Sequence, residues 1–323
     1  MPSTLLDEGR FERRKAEAAD LFALPFPELI HRAMETHRRH HDPCRIEACA
    51  LLSIRTGACP EDCAYCSQSA RHESPATPSP LMDVTAVRQA AREARRQGAV
   101  RLCLGASGRA PKDREIDRLC AMIAAVKEEG LEACATLGLL TPAQARRLKA
   151  AGLDWYNHNI DTSPDHYPNI VSTHTFEDRL KTLRAVAEAG LNVCCGGIIG
   201  LGESREDRIA FIAALAALPG RPRSVPVNVL EPMPGTPLAE APPPDPLELV
   251  RTIAVARLLL PEARIRLSAG RRYMSDELQA LCYLAGANSI FLGPRLLTAG
   301  NADPADDAAL FERLGLRLQE GAS

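Results

Sequence analysis

From about residue 48 onward the chain repeats one rhythm, a short apolar run followed by a helical pattern of about ten to sixteen residues. The rhythm predicts strands near 49–56, 100–105, 131–137, 153–160, 191–198, 224–230, 263–269 and 288–292. Helices are expected near 83–98, 113–130, 141–151, 176–190, 204–218, 246–260, 275–285 and 306–314. Gly98, Gly130, Gly152 and Gly190 fall where a helix should stop, glycine being the residue that ends helices in the left-handed conformation. Strands separated by helices pair in parallel, and eight such units match a (β/α)8 TIM-type barrel. A doubly wound sheet fits the rhythm but does not need eight units. Residues 1–46 read as an N-terminal helical segment, 47–316 as the barrel and 317–323 as a short C-terminal tail. The proline-dense stretch from Pro232 to Pro246 reads as a rim loop. The run His37-Arg38-Arg39-His40-His41 reads as a solvated helix end.

Side chains alternate across a strand, so one face of each should line the barrel and the other meet the helices. Val100, Leu102 and Leu104 are assigned outward, leaving Arg101 and Cys103 inside. Leu131, Ala133 and Ala135 point out, and Glu132, Cys134 and Thr136 point in. Asn157, Asn159 and Asp161 share one face. Leu191, Val193 and Cys195 go outward while Asn192 and Cys194 go in. Val225, Val227 and Val229 go out with Ile265 and Leu267, against Ser224, Asn228, Arg264, Arg266 and Ser268 inside. An ordinary barrel fills its lumen with branched aliphatic side chains. This lumen is polar, and buried polar groups are costly unless paired, so the pattern predicts a barrel that encloses polar ligands.

Eleven cysteines are unusual for a 323-residue chain. Their odd number, behind a polar amino terminus without a signal-peptide pattern, argues against a secreted disulfide framework. A reducing cytoplasmic setting is expected. The formal charge of −2 gives no global pull toward nucleic acid, and no apolar run approaches the ~18 residues of a membrane span. The strongest motif is Cys59-Pro-Glu-Asp-Cys63-Ala-Tyr-Cys66, directly after the first strand. Three thiolates on one short loop can hold three corners of a cubane [4Fe–4S] cluster and leave the fourth iron open. An open metal position is what catalysis requires. The alternative is a zinc knuckle with His72 as fourth ligand, although zinc sites favour paired C-x2-C units and this loop has one.

This spacing resembles the signature of the radical S-adenosylmethionine superfamily. The resemblance implies that S-adenosyl-L-methionine chelates the open iron and is split on reduction to a 5′-deoxyadenosyl radical, with Tyr65 near the adenine. Five further stretches resemble the biotin synthase family: Leu51 to Ala58, Tyr156 to Thr162, Gly196 to Glu203, Arg266 to Arg271 and Ala285 to Phe291. The likeness runs from about Phe22 to Leu316. It implies a sulfurtransferase that inserts sulfur into dethiobiotin, the sulfur coming from an inner [2Fe–2S] cluster held by Cys103, Cys134, Cys194 and Arg266. It also implies Asn159 and Asp161 on the cofactor, and Asn157, Asn159 and Asn228 near the substrate. Neutral amides suit a ureido ring, which offers both donors and an acceptor. A flavodoxin- or ferredoxin-type electron donor and a homodimer complete the set of implied partners. By residue chemistry alone Arg266, almost always protonated, is instead an ion-pair partner of Glu132.

Two other readings stay open on the sequence. One is another radical enzyme on the same barrel, of hydrogenase-maturase or methylornithine-synthase type, expected to lack the full inner set. The other is a non-catalytic iron–sulfur or zinc scaffold, which leaves the polar lumen unexplained. Lipoyl synthase is disfavoured because no second cysteine triplet precedes Cys59. The chain also departs from the family pattern. Cys49 takes an inward position where serine is common, so it is a competing ligand, and Cys195 raises the same question. His174 stands where arginine is often found. Cys44, Cys120 and Cys282 carry no motif and are expected to be buried free thiols.

Overall fold

Two helices lead the chain in, α1 (Glu8–Ala23) and α2 (Phe26–His40), the first capped by Asp7. The first half of the barrel follows as β1 (Arg45–Arg55), α3 (Val84–Arg96), β2 (Arg101–Ala106), α4 (Asp113–Glu128), β3 (Glu132–Thr136), α5 (Pro142–Ala150) and β4 (Trp155–Asn157). Next come α6 (Phe176–Glu188), β5 (Asn192–Cys194), β6 (Gly197–Ile199), α7 (Arg205–Ala217) and β7 (Ser224–Val229). The chain ends through α8 (Pro246–Leu259), β8 (Arg264–Leu267), α9 (Asp276–Leu284), β9 (Ser289–Leu292), α10 (Pro304–Leu314) and β10 (Arg317–Leu318). The computed structural model describes residues 5–74 and 76–319, so positions 320–323 of the expected tail and the first four residues lie outside the described residues.

The strands pair in parallel, and β1 bonds to both β2 and β9, which closes the ring. β5 and β6 meet β7 in one register, Cys194↔Ser224 and Gly197↔Val227, so together they form a single stave broken at Cys195–Gly196. Eight staves result, the TIM-type (β/α)8 barrel that the rhythm predicts. The break is possible because of two glycines. A Cβ on Gly196 would lie 1.9 Å from the Pro226 carbonyl oxygen, and one on Gly197 2.3 Å from that of Asp161. Close backbone approach of this kind excludes every other residue.

Alternation sorts the side chains into two layers. Leu102, Leu104, Ala133, Ala135, Val193, Cys195, Val225, Val227, Ile265 and Leu267 join the helices in the main apolar core. Cys49, Cys103, Cys134, Trp155, Cys194, Phe291 and Leu296 form a separate cluster inside the barrel. Some expectations need correction. β4 stops at Asn157, so Asn159 and Asp161 belong to the loop above it. Val229 packs against the helix-facing core as expected, but at the end of its strand it also lines the central cavity. β1 begins at Arg45, so a boundary between 46 and 47 cuts the strand, and the start of the expected tail pairs with it as β10 (Arg45↔Arg317).

The basic end of α2 is only partly solvated. Arg38, Arg39 and His40 are exposed, but His37 is buried and His41 half-buried. The spacing of Leu29, Ala33, His37 and His41 puts all four on the face that meets α8. Arg257 of α8, wholly buried, donates to the carbonyls of Gly286, Pro261 and Ala263 and to His41 Nε2 at 3.0 Å. The same nitrogen also lies 3.0 Å from the Pro261 carbonyl oxygen, so it sits between a guanidinium donor and a carbonyl acceptor. Burial and Arg257 hold His37 down to about 3 and His41 to about 4, below the ordinary 6.5. Below pH ~6.5 the unfolded chain therefore takes up protons that the folded chain refuses, and stability falls as the pH drops toward 4. We expect a lower melting temperature at pH 5 than at pH 7, with a flatter slope in His37→Gln/His41→Gln. An unchanged slope in that double variant would assign the acid sensitivity to other groups.

Candidate active site

The loop after β1 is fixed by its backbone before any metal is considered. Gly57 and Ala58 both take positive φ, 69° and 52°, turning the chain over the barrel rim. Cys59 N donates to Gln68 O at 2.9 Å and Ala70 N to Cys59 O at 2.7 Å, closing the loop on itself. Within it Cys66 N bonds to Cys63 O, a single tight turn. The two acidic residues of the motif anchor it to the 172–174 segment. Glu61 accepts from Thr173 Oγ1, from Arg109 at 3.0 Å and from His174 Nδ1 at 2.6 Å. Asp62 accepts from the backbone and hydroxyl groups of Ser172 and Thr173, which hold its carboxyl well below the usual range despite partial desolvation. His72, the alternative zinc ligand, has Nε2 3.0 Å from the carbonyl oxygen of Cys63.

Cys63 is buried against Tyr167, Ile170, Val171, Leu201 and Leu230, while Cys59 and Cys66 are half-exposed. Burial pushes the Cys63 thiol up and the Cys66 thiol to about 11. Both are protonated in the bare chain, so binding iron must release protons. All eleven cysteines are unpaired. Of the three without a motif only Cys282 is buried; Cys44 is exposed and Cys120 half-exposed, a correction to the expectation for both.

Tyr65 donates its hydroxyl to Asp161 Oδ2 at 2.9 Å, and Arg179 Nη2 reaches the same oxygen at 3.1 Å. Asp161 sits at φ 66°, a left-handed conformation that Asp tolerates better than most residues. Burial pushes its carboxyl up, and Arg179 opposes the shift. Arg179 was not legible as a site residue: it lies on an amphipathic helix whose sequence reads as solvent-facing there. Asn157 Nδ2 donates to Asn159 Oδ1 at 3.0 Å and to Cys194 Sγ at 3.3 Å, and Asn159 Oδ1 also accepts from Gly196 N. Asn228 donates to the Gly197 carbonyl and accepts from Ala269 N, leaving one N–H and one lone pair free for a ligand.

At the floor, Cys103 and Cys134 are register partners on β2 and β3, and their mutual influence pulls Cys103 down and pushes Cys134 up. Arg266 donates from Nε to Ser289 Oγ at 2.9 Å, and from Nη2 to Glu47 Oε1 at 3.1 Å and Cys49 Sγ at 2.9 Å. Its carboxylate partner is thus Glu47, not Glu132. Glu132 instead takes Arg101 and the Trp155 indole N–H. Glu47 escaped the sequence reading because the predicted strand began four residues too late. Three arginines, Arg101, Arg264 and Arg266, hold its carboxyl low against the cost of burial.

One cavity of about 340 Å³ joins these parts. Tyr65, Cys66 and Asp161 line one end, Cys103, Cys134, Cys194 and Arg266 the other, with Asn157, Asn159 and Asn228 between. His158 Nε2 is buried beside it and has no partner among the described residues. A largely apolar chamber with a few unspent hydrogen-bonding groups and several thiols fits thiophilic metal clusters beside an organic ligand.

The crystal structure of methylornithine synthase superposes on 96% of this chain and 94% of its own, with a TM-score of 0.79 at 20% identity, a likeness of fold. The barrel, with three open thiols on the loop after its first strand, defines the radical S-adenosylmethionine class of enzyme. Residues 53–215 match the Radical SAM superfamily and residues 226–317 the Biotin and Thiamin Synthesis associated domain. The biotin synthase of Halorhodospira halophila is 58% identical over 299 residues, 93% of this chain and 92% of that protein. That of Acidithiobacillus ferrooxidans is 58% identical over 297 residues, 92% and 94% of the two chains. The chain belongs to the biotin synthase family, and so is a sulfurtransferase. Membership implies S-adenosylmethionine, iron–sulfur clusters and dethiobiotin as substrate. Among the described residues no helix is long and apolar enough to cross a membrane.

Proposed function

We propose that Cys59, Cys63 and Cys66 hold a [4Fe–4S] cluster at the barrel mouth, and that Cys103, Cys134, Cys194 and Arg266 hold a [2Fe–2S] cluster at its floor. When bound, the outer cluster with S-adenosylmethionine supplies a 5′-deoxyadenosyl radical, and the inner cluster supplies the sulfur inserted into dethiobiotin. What supports this reading is the single cavity that Cys66 shares with Cys103, Cys134 and Cys194. Tyr65, Asn159 and Asp161 bind the cofactor, and Arg179 orients the Asp161 carboxylate for it. Asn157, Asn159 and Asn228 orient the ureido ring, the free N–H and lone pair of Asn228 matching its acceptor and a donor. The apolar wall formed by Phe291, Leu296 and Leu297 excludes water from reactive carbon. The proposal includes a flavodoxin- or ferredoxin-type electron donor, a homodimer, a cytoplasmic setting, and a helical segment, barrel and short tail as the divisions of the chain.

Anaerobically reconstituted protein given S-adenosylmethionine, a one-electron reductant and dethiobiotin is expected to form biotin. Cofactor cleavage without biotin would instead favour the related radical enzymes on the same barrel. Asn159→Ala and Asp161→Ala are each expected to weaken cofactor binding by about 1–3 kcal/mol, with both clusters intact, because each loses hydrogen bonds in a dry cavity. Titration with S-adenosylmethionine measures this, and unchanged affinity in both variants would remove them from the cofactor site.

A further inference from the structure

The floor of the barrel holds one sulfur more than the family pattern requires. Cys49, on β1, is fully buried in the same cluster as Cys103, Cys134 and Cys194. Its sulfur meets Arg266 Nη2 at 2.9 Å, so the thiol and the guanidinium compete for one point in space. Two fully buried guanidiniums, Arg101 and Arg266, share the buried carboxylate of Glu47, and Arg101 also pairs with Glu132. Arg101 Nη1 is buried with no partner among the described residues. An orphan N–H is costly in a dry interior. Thiolate is the ordinary donor to iron–sulfur clusters, whereas a guanidinium has no lone pair to give until it loses a proton.

We propose that Cys49 is an alternative ligand of the inner cluster, able to hold as a thiolate the iron otherwise assigned to Arg266. The proposal rests on the inner-site reading above. The exchange balances internally: the sulfur–iron bond forms as the nitrogen–iron bond breaks, and the thiol proton passes to the guanidine. Arg266 then stays in place as a cation, donating to the Cys49 sulfur and to Glu47.

The test is Mössbauer spectroscopy with iron counting on anaerobically reconstituted protein, without cofactor or substrate. Arg266→Ala should keep the [2Fe–2S] signal at near wild-type iron content, as should Cys49→Ser. Cys49→Ser/Arg266→Ala should lose it, with iron falling by about two per chain. Arg266→Lys, which keeps a cation beside Glu47, stands in if the alanine variant fails to fold. Loss of the inner signal in both arginine variants, as complete as in the double variant, would overturn the proposal. Survival of the signal in the double variant would do the same. Cys103→Ala, measured alongside, separates the two ideas: if it too keeps the signal, the inner site itself has been misread.

Discussion

Alanine at Cys59, Cys63 or Cys66 is expected to reduce 5′-deoxyadenosine formation to background, whichever of the three is changed. Each variant removes one corner ligand of the cubane, and the loop cannot offer another. Its backbone is tied at Cys59 to Gln68 and Ala70, and the Cys63–Cys66 turn is closed by its own hydrogen bond. Glu61 and Asp62 pin it further to Thr173 and Ser172. A rigid loop positions three sulfurs well and adapts poorly to the loss of one. Chromatographic measurement of 5′-deoxyadenosine under reducing, anaerobic conditions decides the matter. Wild-type formation in any one variant would show that the loop is not the cluster site.

The second large effect is at the floor. Cys103→Ala, Cys134→Ala and Cys194→Ala should each abolish biotin formation and remove the [2Fe–2S] signal while sparing the [4Fe–4S] cluster. The two thiol sets lie on different elements, one on the loop after β1 and the other on β2, β3 and β5, and share no ligand. Arg266→Ala should be the mildest loss, because a guanidinium is a weak donor and Cys49 lies against it. Cys195→Ala should be nearly silent, since that side chain packs in the helix-facing core. Mössbauer spectra and a biotin assay on the five variants read all of this. If none of the inner variants affects biotin formation, the sulfur-donor assignment fails.

Much of this was legible in the residues. Period-two alternation put Cys103, Cys134, Cys194 and Arg266 on the lumen side and Cys195 on the other, and the two buried clusters follow that division. The cysteine loop was legible because its ligands are close in sequence. The misses share one cause: each depends on contacts between distant segments. Glu47 lay just beyond a predicted strand end, and only the closure of β1 on β9 brings it beside Ser289 and Arg266. Arg179 belongs to a helix whose neighbours say nothing about a buried carboxylate eighteen positions back. His37 and His41 look like a solvated end until α8 is packed against them.

What the sequence determined by itself was therefore local: the strand and helix rhythm, the side each strand residue faces, and the thiol spacing of the loop. These follow from backbone periodicity and from donors within a few residues of one another. The tertiary structure alone decided which charges meet. It assigned Arg266 to Glu47, tied Asp161 to both Tyr65 and Arg179, and set Cys49 against the arginine. Pairing at the floor of a barrel depends on how eight staves tilt and stagger when the ring closes, and no single strand carries that information.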